Sequence, residues 1–290
     1  MTAVRALMAG LIDYAGLFPP ASLDMLSAVR RYREYLAGED CWALGKFIVP
    51  AARLQEFSAA FNEVCCDERE PVWQLSILGS ADSAGDQAAV ENLNQGAFSI
   101  DAVEIKAASP AEVDRILSHS HPVTAIYVEF PAAEATGVLS SLARSGTRAK
   151  LRTGGVTPDA IPSIETVAGF LAACARANVA FKATAGLHHA VRGAHPLTYE
   201  PQSPRATMHG FVNLFLSAVL ARRGEDLRAT TSTLAITDAA SFGFNDDTVR
   251  WLTFDAGVNE IQTTRREFAI SYGSCSFTEP LAEAKALQWL

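Results

Sequence analysis

The sequence predicts an α/β protein built as a single (β/α)8 barrel, the TIM-barrel fold, and three observations lead to this class. Short runs rich in β-branched residues alternate with longer segments whose apolar residues recur three and four positions apart, the pattern of a parallel sheet with crossover helices. Eight such runs are present, the number that closes a barrel. At 290 residues and 49% hydrophobic composition, the chain can bury one barrel core. We therefore expect one domain spanning 1–290.

The elements follow in order along the chain. Predicted strands cover 10–16, 42–49, 72–78, 101–107, 123–129, 148–153, 179–184 and 267–272. Helices are predicted at 157–177 and 208–222, where apolar residues share one face. Residues 186–206 form a long irregular loop rich in Gly and Pro, and 224–266 should hold one helix and a small excursion before the last strand.

Composition restricts the partners. A formal charge of −8 argues against nucleic acid or an anionic membrane, because both would be repelled. No apolar run reaches the roughly 18 residues that span a bilayer, so we expect a cytoplasmic protein that binds a small molecule and forms, if it assembles, a homo-oligomer. The five cysteines include no CxxC pair and are expected to be free thiols, with Cys275 a packing residue.

Polar residues alternate with apolar ones in four consecutive strands. Because successive strand residues point to opposite faces, the apolar set should face the helices and the polar set the barrel interior. The polar set consists of Glu104, Lys106, Tyr127, Glu129, Lys150, Arg152, Lys182 and Thr184.

Barrel interiors are normally filled by branched apolar side chains, so six ionisable groups need an explanation. Burying them is tolerable only if they are paired and hydrogen-bonded, and an internal salt-bridge network is one explanation. The other is an active site, because the six lie toward the carboxyl ends of their strands, where barrel enzymes carry their catalytic groups.

Lysine chemistry makes the second explanation concrete. Burial among other cations lowers the pKa of a lysine and yields a neutral amine that can attack a carbonyl and form a Schiff base. Lys150 has such surroundings if Arg152 and Lys182 are its neighbours. Glu104 and Glu129 could then transfer protons during carbon–carbon cleavage. The alternative for each lysine is a clamp for a substrate carboxylate or phosphate.

Two segments carry a family resemblance. Lys150-Leu-Arg-Thr-Gly-Gly and Phe181-Lys-Ala-Thr-Ala-Gly-Leu resemble two signatures of deoxyribose-phosphate aldolase and related class I aldolases. The resemblance covers about 100–190 and implies a TIM barrel in which Lys150 forms the Schiff base and Lys182 is its electrostatic partner. Glu104 would match the family's acidic residue, and Arg152 replaces a small residue. Thr153 and Gly154 of the first segment are candidate substrate contacts.

Histidines and serines add further candidates. Three histidines near one barrel mouth could bind substrate or, with a carboxylate, a divalent metal; they are His188, His189 and His209. Ser274 and Ser276 follow the last strand, where barrels often bind phosphate, although a helix cap explains them equally. Asp13 ends the first strand and is a further candidate for the site.

The leading hypothesis is a class I, Schiff-base aldolase or lyase that acts on a small carbonyl compound, with or without a phosphate or carboxylate, and needs no cofactor. One alternative is a metal-dependent lyase, isomerase or hydrolase that uses the three histidines. A second is a non-catalytic barrel that binds a small anion. We also expect the 186–206 loop to be a mobile cover, since it directly follows a polar strand.

Overall fold

Eight parallel strands close into a barrel in the computed structural model, which describes residues 2–65, 71–79, 98–118, 125–131 and 134–290. The first seven barrel strands are β1 Ile12–Tyr14, β2 Leu44–Pro50, β3 Trp73–Leu78, β4 Phe98–Lys106, β5 Ala125–Glu129, β6 Arg148–Arg152 and β7 Phe181–Thr184. The chain then forms five strands outside the barrel: β8 Gly193–Pro196, β9 Arg205–Met208, β10 Phe242–Phe244, β11 Thr248–Trp251 and β12 Phe254–Gly257. The eighth barrel strand, β13 Ala269–Ser274, pairs with β1 and β7 and closes the barrel.

The predicted fold class is therefore confirmed, and each of the eight predicted strands coincides with a barrel strand. The start of the fifth predicted strand, residues 123 and 124, lies outside the described residues, as does Cys66. The other four cysteines are free thiols.

Most of the described helices run between the strands, and several begin at a residue whose side chain caps the first turn. They are α1 Ala3–Met8, α2 Met25–Ala37, α3 Leu54–Val64, α4 Pro110–Leu117, α5 Ala135–Ser145, α6 Ile164–Ala177, α7 Phe211–Arg223, α8 Leu227–Ala235, α9 Val258–Glu267 and α10 Thr278–Ala286. Ser163 caps α6 by accepting a hydrogen bond from the Thr166 amide, and Asn178 ends it in a left-handed conformation. The predicted helices at 157–177 and 208–222 correspond to α6 and α7.

The alternation in the strands separates two apolar clusters. The apolar half of the pattern, including Val103, Val128 and Phe181, belongs to the main core together with helix residues such as Val167. Tyr127 belongs instead to a small separate cluster with two alanines, Ala102 and Ala125. The two faces of the strands are thus buried in different places, as the period of two predicts.

Two segments differ from the sequence-based expectation. The segment 186–206 is not irregular throughout, because β8 and the start of β9 pair as an antiparallel hairpin within it. The segment 224–266 contains two helices, α8 and α9, and the antiparallel sheet β10–β12. These strands are only three or four residues long, too short to show a clear period of two, so periodicity alone missed them.

Helix α7 is buried on every side. All eleven residues from Phe211 to Ala221 are buried, whereas barrel helices usually bury only one stripe. Helix α8 packs against α7, which explains the burial of its outer face. The excursion after α7 therefore adds a further layer to this side of the barrel.

One segment of the described chain, Pro158–Ala177, is long and apolar enough to cross a membrane by length and composition, contrary to the expectation from the sequence. Such evidence is weak, because the core helix of a globular protein passes the same test. Here Val167, Leu171 and Cys174 of this helix are wholly buried in the protein. These residues form the face of α6 that packs on the barrel, and only 28% of the apolar stretch is buried.

Candidate active site

A chain of ion pairs crosses the barrel interior. Lys182 Nζ lies 2.6 Å from Asp13 Oδ2 and 2.6 Å from Glu104 Oε1. Lys150 Nζ lies 2.9 Å from Glu104 Oε2 and 3.2 Å from Glu129 Oε2. Glu104 therefore bridges the two lysines. Parallel register explains part of this proximity, since Lys150 is paired with Glu129 on one side and with Lys182 on the other.

Neighbouring hydroxyl and amide groups complete the network. Ser76 donates a hydrogen bond of 2.7 Å to Glu104 Oε1, and Ser271 donates one of 2.7 Å to Asp13 Oδ2. The backbone amide of Lys46 donates to Asp13 Oδ1 at 2.8 Å. Such partners offset the cost of removing carboxylates from water. The internal salt-bridge network that the strand pattern suggested as one explanation therefore exists. The same residues can also serve in catalysis.

Two carboxylates of this network, Glu104 and Glu129, are held ionised. Burial raises the pKa of Glu104, but the ammonium groups of Lys182 and Lys150 outweigh burial and hold this pKa well below the usual carboxyl range. Glu129 is affected in the same direction by Lys150 and Arg152. Burial lowers the pKa of Lys182, but Asp13 and Glu104 raise it above its ordinary value. Lys182 is thus an ammonium at neutral pH.

The surroundings of Lys150 differ from those expected. The sequence predicted a lysine surrounded by cations, whereas the charged atoms within salt-bridge distance of Lys150 Nζ are carboxylate oxygens of Glu104 and Glu129. The reason is barrel closure. It brings Asp13 from β1 next to Lys182 and leaves Glu104 from β4 between the two lysines.

A cavity of about 380 Å³ opens at the carboxyl ends of the strands. Lys150 and Glu104 line it, whereas Lys182, with 1% of its surface exposed, does not. Much of the wall is apolar and includes Phe18 and Leu197. A second cavity of about 590 Å³ shares Lys150 with the first and is also lined by Glu129, Phe130 and Phe170. Of the two buried lysines, Lys150 is therefore the one that a bound molecule can reach.

Lys106 and Arg152 are exposed at the rim of the barrel and line both cavities, so the prediction that all six ionisable groups lie inside is wrong for these two. Each is the last residue of its strand, where the side chain extends past the end of the barrel. Arg152 Nε donates to Glu129 Oε1 at 2.9 Å, and this pair is open to solvent on the arginine side. Two cations at the rim suit an anionic group on a substrate.

Tyr127 faces the barrel interior, as predicted, but is not among the residues that line either of these cavities. Its hydroxyl accepts a hydrogen bond of 2.8 Å from Arg148, at the start of β6. Its ring lies 5.5 Å from Lys182 Nζ, an arrangement that favours the ammonium form. The structure thus places Tyr127 beside Lys182, away from the position where we expected it to contact substrate.

The turns after β6 and β7 are in contact. Thr153 is buried and its hydroxyl donates to the backbone carbonyls of Thr184 and Ala185. A Cβ added at Gly154 would lie 2.9 Å from the Gly186 Cα. Thr153 and Gly154 therefore join the two turns and do not line either cavity, whereas Thr184 and Gly186 do line the first.

Gly186→Ala is expected to lower the free energy of unfolding by about 1–3 kcal/mol, because Gly186 has a φ of 77° and no room for a Cβ. Urea unfolding measures this change. Gly169→Ala in α6 is the matched control, since nothing lies within 4 Å of an added Cβ there and alanine favours the helix. Equal effects at the two sites would contradict the close packing of the turns.

The three histidines have separate partners. His188 Nδ1 lies 2.9 Å from Glu279 Oε2. His189 stacks on His195, and His209 Nε2 donates to the Pro162 carbonyl at 2.8 Å. Over the described ranges, no group of three or more His, Cys, Asp or Glu side chains is placed to hold a metal ion. The geometry therefore gives the metal-dependent alternative no support; metal analysis of the purified protein tests it directly.

Ser274 and Ser276 act in the turn that precedes α10. Ser276 accepts a hydrogen bond of 3.2 Å from the Glu279 amide, and Ser274 accepts one of 3.3 Å from the Ser276 amide. The Ser276 contact satisfies an amide in the first turn of α10, as the capping explanation predicts, whereas the Ser274 contact closes the turn before the helix. Neither serine is among the lining residues of the first cavity, and their role as anion contacts stays a prediction.

Several residues of the site were missed by sequence reasoning. Ser76 could have been found, because it alternates with Leu75 and Ile77 in β3 as the polar set does elsewhere. Ser271 and Cys275 flank the carboxyl end of β13 and had no comparable pattern. Leu197 of the 186–206 segment lines the cavity, which fits a cover, although its mobility stays a prediction.

Fold and site together describe a (β/α)8 barrel with a buried lysine–carboxylate network at its carboxyl end. No family model matches the sequence, and no curated protein matches it. Among solved structures, the chain is similar to deoxyribose phosphate aldolase from Aeropyrum pernix, described as a unique tetramer. The TM-score is 0.42 at 15% identity, over 64% of this chain and 80% of that one. The barrel thus has a distant structural resemblance to an aldolase.

Proposed function

We propose that this protein is a class I aldolase or lyase in which Lys150 forms a Schiff base with a small carbonyl compound. The observation that carries the proposal is the position of Lys150. Its ammonium group lies between two carboxylates and lines the cavities at the carboxyl end of the barrel, while Lys182 is closed off beneath. The nucleophile, a proton acceptor and space for a substrate are therefore found together around Lys150 Nζ.

The two carboxylates have different parts in the proton transfers that the reaction needs. Glu129 lies 3.2 Å from Lys150 Nζ and accepts its proton, whereas Glu104, which Lys182 keeps ionised, orients the amine. The nitrogen lone pair then attacks the carbonyl carbon, and the carboxyl group returns its proton to the oxygen, which gives the carbinolamine. A second proton passes from nitrogen to the hydroxyl through the same carboxylate, and water leaves as the iminium ion forms. The iminium ion accepts the electron pair released when the bond between the α and β carbons breaks, while the carboxylate takes the proton of the β-hydroxyl.

Lys182 acts as a positioning residue in this scheme. It is paired with Asp13 and Glu104 at 2.6 Å each and remains charged. Its ammonium group keeps Glu104 ionised and fixes one carboxylate oxygen, so that the other faces Lys150. The role resembles that of the second lysine in the aldolase signature, with the carboxylate as the intermediary.

The cavity indicates the class of substrate. A volume of about 380 Å³ suits a small molecule, and the apolar wall suits its carbon skeleton. Lys106 and Arg152 at the rim would bind a carboxylate or phosphate on that molecule. The net charge of −8 repels anions from the protein as a whole. Lys106 and Arg152 form a local positive group that would attract an anionic substrate to the cavity. A cytoplasmic location and a homo-oligomeric assembly belong to the same proposal, and sedimentation of the purified chain tests the assembly.

Borohydride reduction in the presence of a panel of aldehydes and ketoacids tests the chemistry directly. The chain has five lysines, so peptide mapping resolves each: Lys46, Lys106, Lys150, Lys182 and Lys285. We expect the stable secondary amine on the peptide that contains Lys150, because that amine can reach the carbonyl compound. Mass spectrometry of the digested protein reads the result.

Lys285→Met is the matched control, because Lys285 pairs with Asp40 at the surface, away from the barrel interior. This variant should be labelled like the wild type, and Lys150→Met should not be labelled. Adduct on Lys182 or Lys106 in place of Lys150 would contradict the assignment. Binding of an anionic ligand without adduct or turnover would favour the anion-binding alternative.

A further inference from the structure

A second group of reactive side chains lies at the same barrel mouth. Cys275 follows β13, and its Sγ lies 3.9 Å from His188 Nε2. The other ring nitrogen of His188, Nδ1, lies 2.9 Å from Glu279 Oε2. Thiol, imidazole and carboxylate thus stand in the order that cysteine nucleophiles use, in which the base accepts the thiol proton and the carboxylate orients the base.

The electrostatics of this group favour a charged imidazole. Burial lowers the pKa of His188, but hydrogen bonds to Cys275 and Glu279 raise it to about 9. Glu279 is affected in the complementary direction: burial raises its pKa, and the contacts with His188, Tyr199 and His189 together lower it below its ordinary value. An imidazolium beside a sulfur stabilises the thiolate, which is the nucleophilic form of cysteine.

Among the described residues, two tyrosines also face the sulfur. Tyr199, on the turn of the β8–β9 hairpin, has its hydroxyl 3.7 Å from Cys275 Sγ. Tyr14, in β1, interacts electrostatically with Cys275. Burial raises the pKa of both phenols, so both stay protonated at neutral pH.

The cavity makes the sulfur accessible. Cys275 and His188 both line the cavity of about 380 Å³, although Cys275 has only 7% of its surface exposed. Cys174 offers a contrast, because it is wholly buried in α6 with no charged neighbour and burial alone raises its pKa. Cys275 therefore differs from an inert packing cysteine, which is the role that the sequence predicted for it.

We propose that Cys275 is a second nucleophile of the cavity, activated by His188 and Glu279, which adds reversibly to the carbonyl carbon of a small aldehyde. In the ion pair, His188 Nε2 holds the proton, and the thiolate sulfur forms a bond to the carbonyl carbon. The carbonyl π electrons move to oxygen, which takes the proton from His188. The product is a hemithioacetal, with no oxidation or reduction. This step does not depend on a Schiff base at Lys150.

Alkylation with iodoacetamide, followed by peptide mapping, tests the activation. We expect Cys275 at pH 7 to react at least about tenfold faster than exposed Cys41, because the thiolate is the reactive form. His188→Gln and Glu279→Gln should each slow Cys275 while the rate of Cys41, the internal reference, is unchanged. Circular dichroism of both variants checks that they fold. Equal rates at Cys275 and Cys41, or a folded His188→Gln variant that reacts like the wild type, would overturn the proposal.

Acetaldehyde as a probe tests the carbonyl step. In the Lys150→Met protein, which cannot form the Schiff base at that position, acetaldehyde should still protect Cys275 from iodoacetamide. If acetaldehyde protects Cys275 from iodoacetamide in the wild type but not in the Lys150→Met protein, the protection depends on Lys150. That result would overturn addition of the aldehyde to Cys275. The two nucleophiles are tested by different measurements: borohydride labelling reports on Lys150, and iodoacetamide protection reports on Cys275. Either proposal can therefore fail without the other.

Discussion

Replacing Lys150 with methionine is expected to lower kcat to about a thousandth of the wild-type value or less, because the amine that forms the covalent intermediate is lost. Methionine has a similar length and is tolerated among apolar walls. The measurement is steady-state turnover with whichever carbonyl compound is trapped by borohydride. KM should change little by comparison, since Lys106 and Arg152 at the rim are untouched.

The fold should survive this substitution. Without Lys150, Glu104 keeps its contacts with Lys182 and Ser76, and Glu129 keeps its pair with Arg152. Lys285→Met, a surface change, should retain full turnover. A Lys150→Met enzyme that is folded and keeps near wild-type turnover would refute the Schiff-base assignment. Loss of wild-type turnover on chelation, with recovery on added metal, would favour the metal-dependent alternative.

Replacing Glu104 with glutamine is expected to lower the free energy of unfolding by about 3–5 kcal/mol, the range for breaking a buried ion pair on one side. Glutamine keeps the shape but leaves two buried ammonium groups without the carboxylate that bridges them. Urea unfolding at pH 7 measures the loss. Glu56→Gln, which removes the exposed pair with Arg53, is the matched control and should cost at most about 1 kcal/mol.

The pH dependence gives a second measure of the same network. Because the pKa of Glu104 is held below its unfolded value, its stabilisation is present above the unfolded pKa of about 4.3 and is lost as the pH falls through the folded value. The stability difference between wild type and Glu104→Gln should therefore be constant near neutrality and shrink at acid pH. A difference that persists unchanged in strong acid, or equal losses for Glu104→Gln and Glu56→Gln, would contradict the buried ion-pair account.

The alternation of eight strands with helices was enough to predict the barrel, and the alternation of polar and apolar residues in four of those strands predicted much of its charged interior. Glu104, Lys150 and Lys182 lie where a period of two places them, because strand geometry is local and the apolar half must be buried against helices. The same rule could not tell an interior side chain from one at the rim, as with Lys106 and Arg152. Their position depends on where each strand ends within the barrel, which is a matter of register between strands.

By itself, then, the sequence determined the fold class and the positions of the eight barrel strands along the chain. It also placed Lys150 and Lys182 inside the barrel, although it placed Lys106 there as well. Tertiary structure decided which lysine faces the cavity, that carboxylates from β1 and β4 surround the pair, and that Cys275 meets His188 and Glu279. The physical reason is the range of the interactions. Strand and helix periods act over a few residues, whereas Asp13 and Lys182, or Cys275 and His188, become neighbours only when the barrel closes.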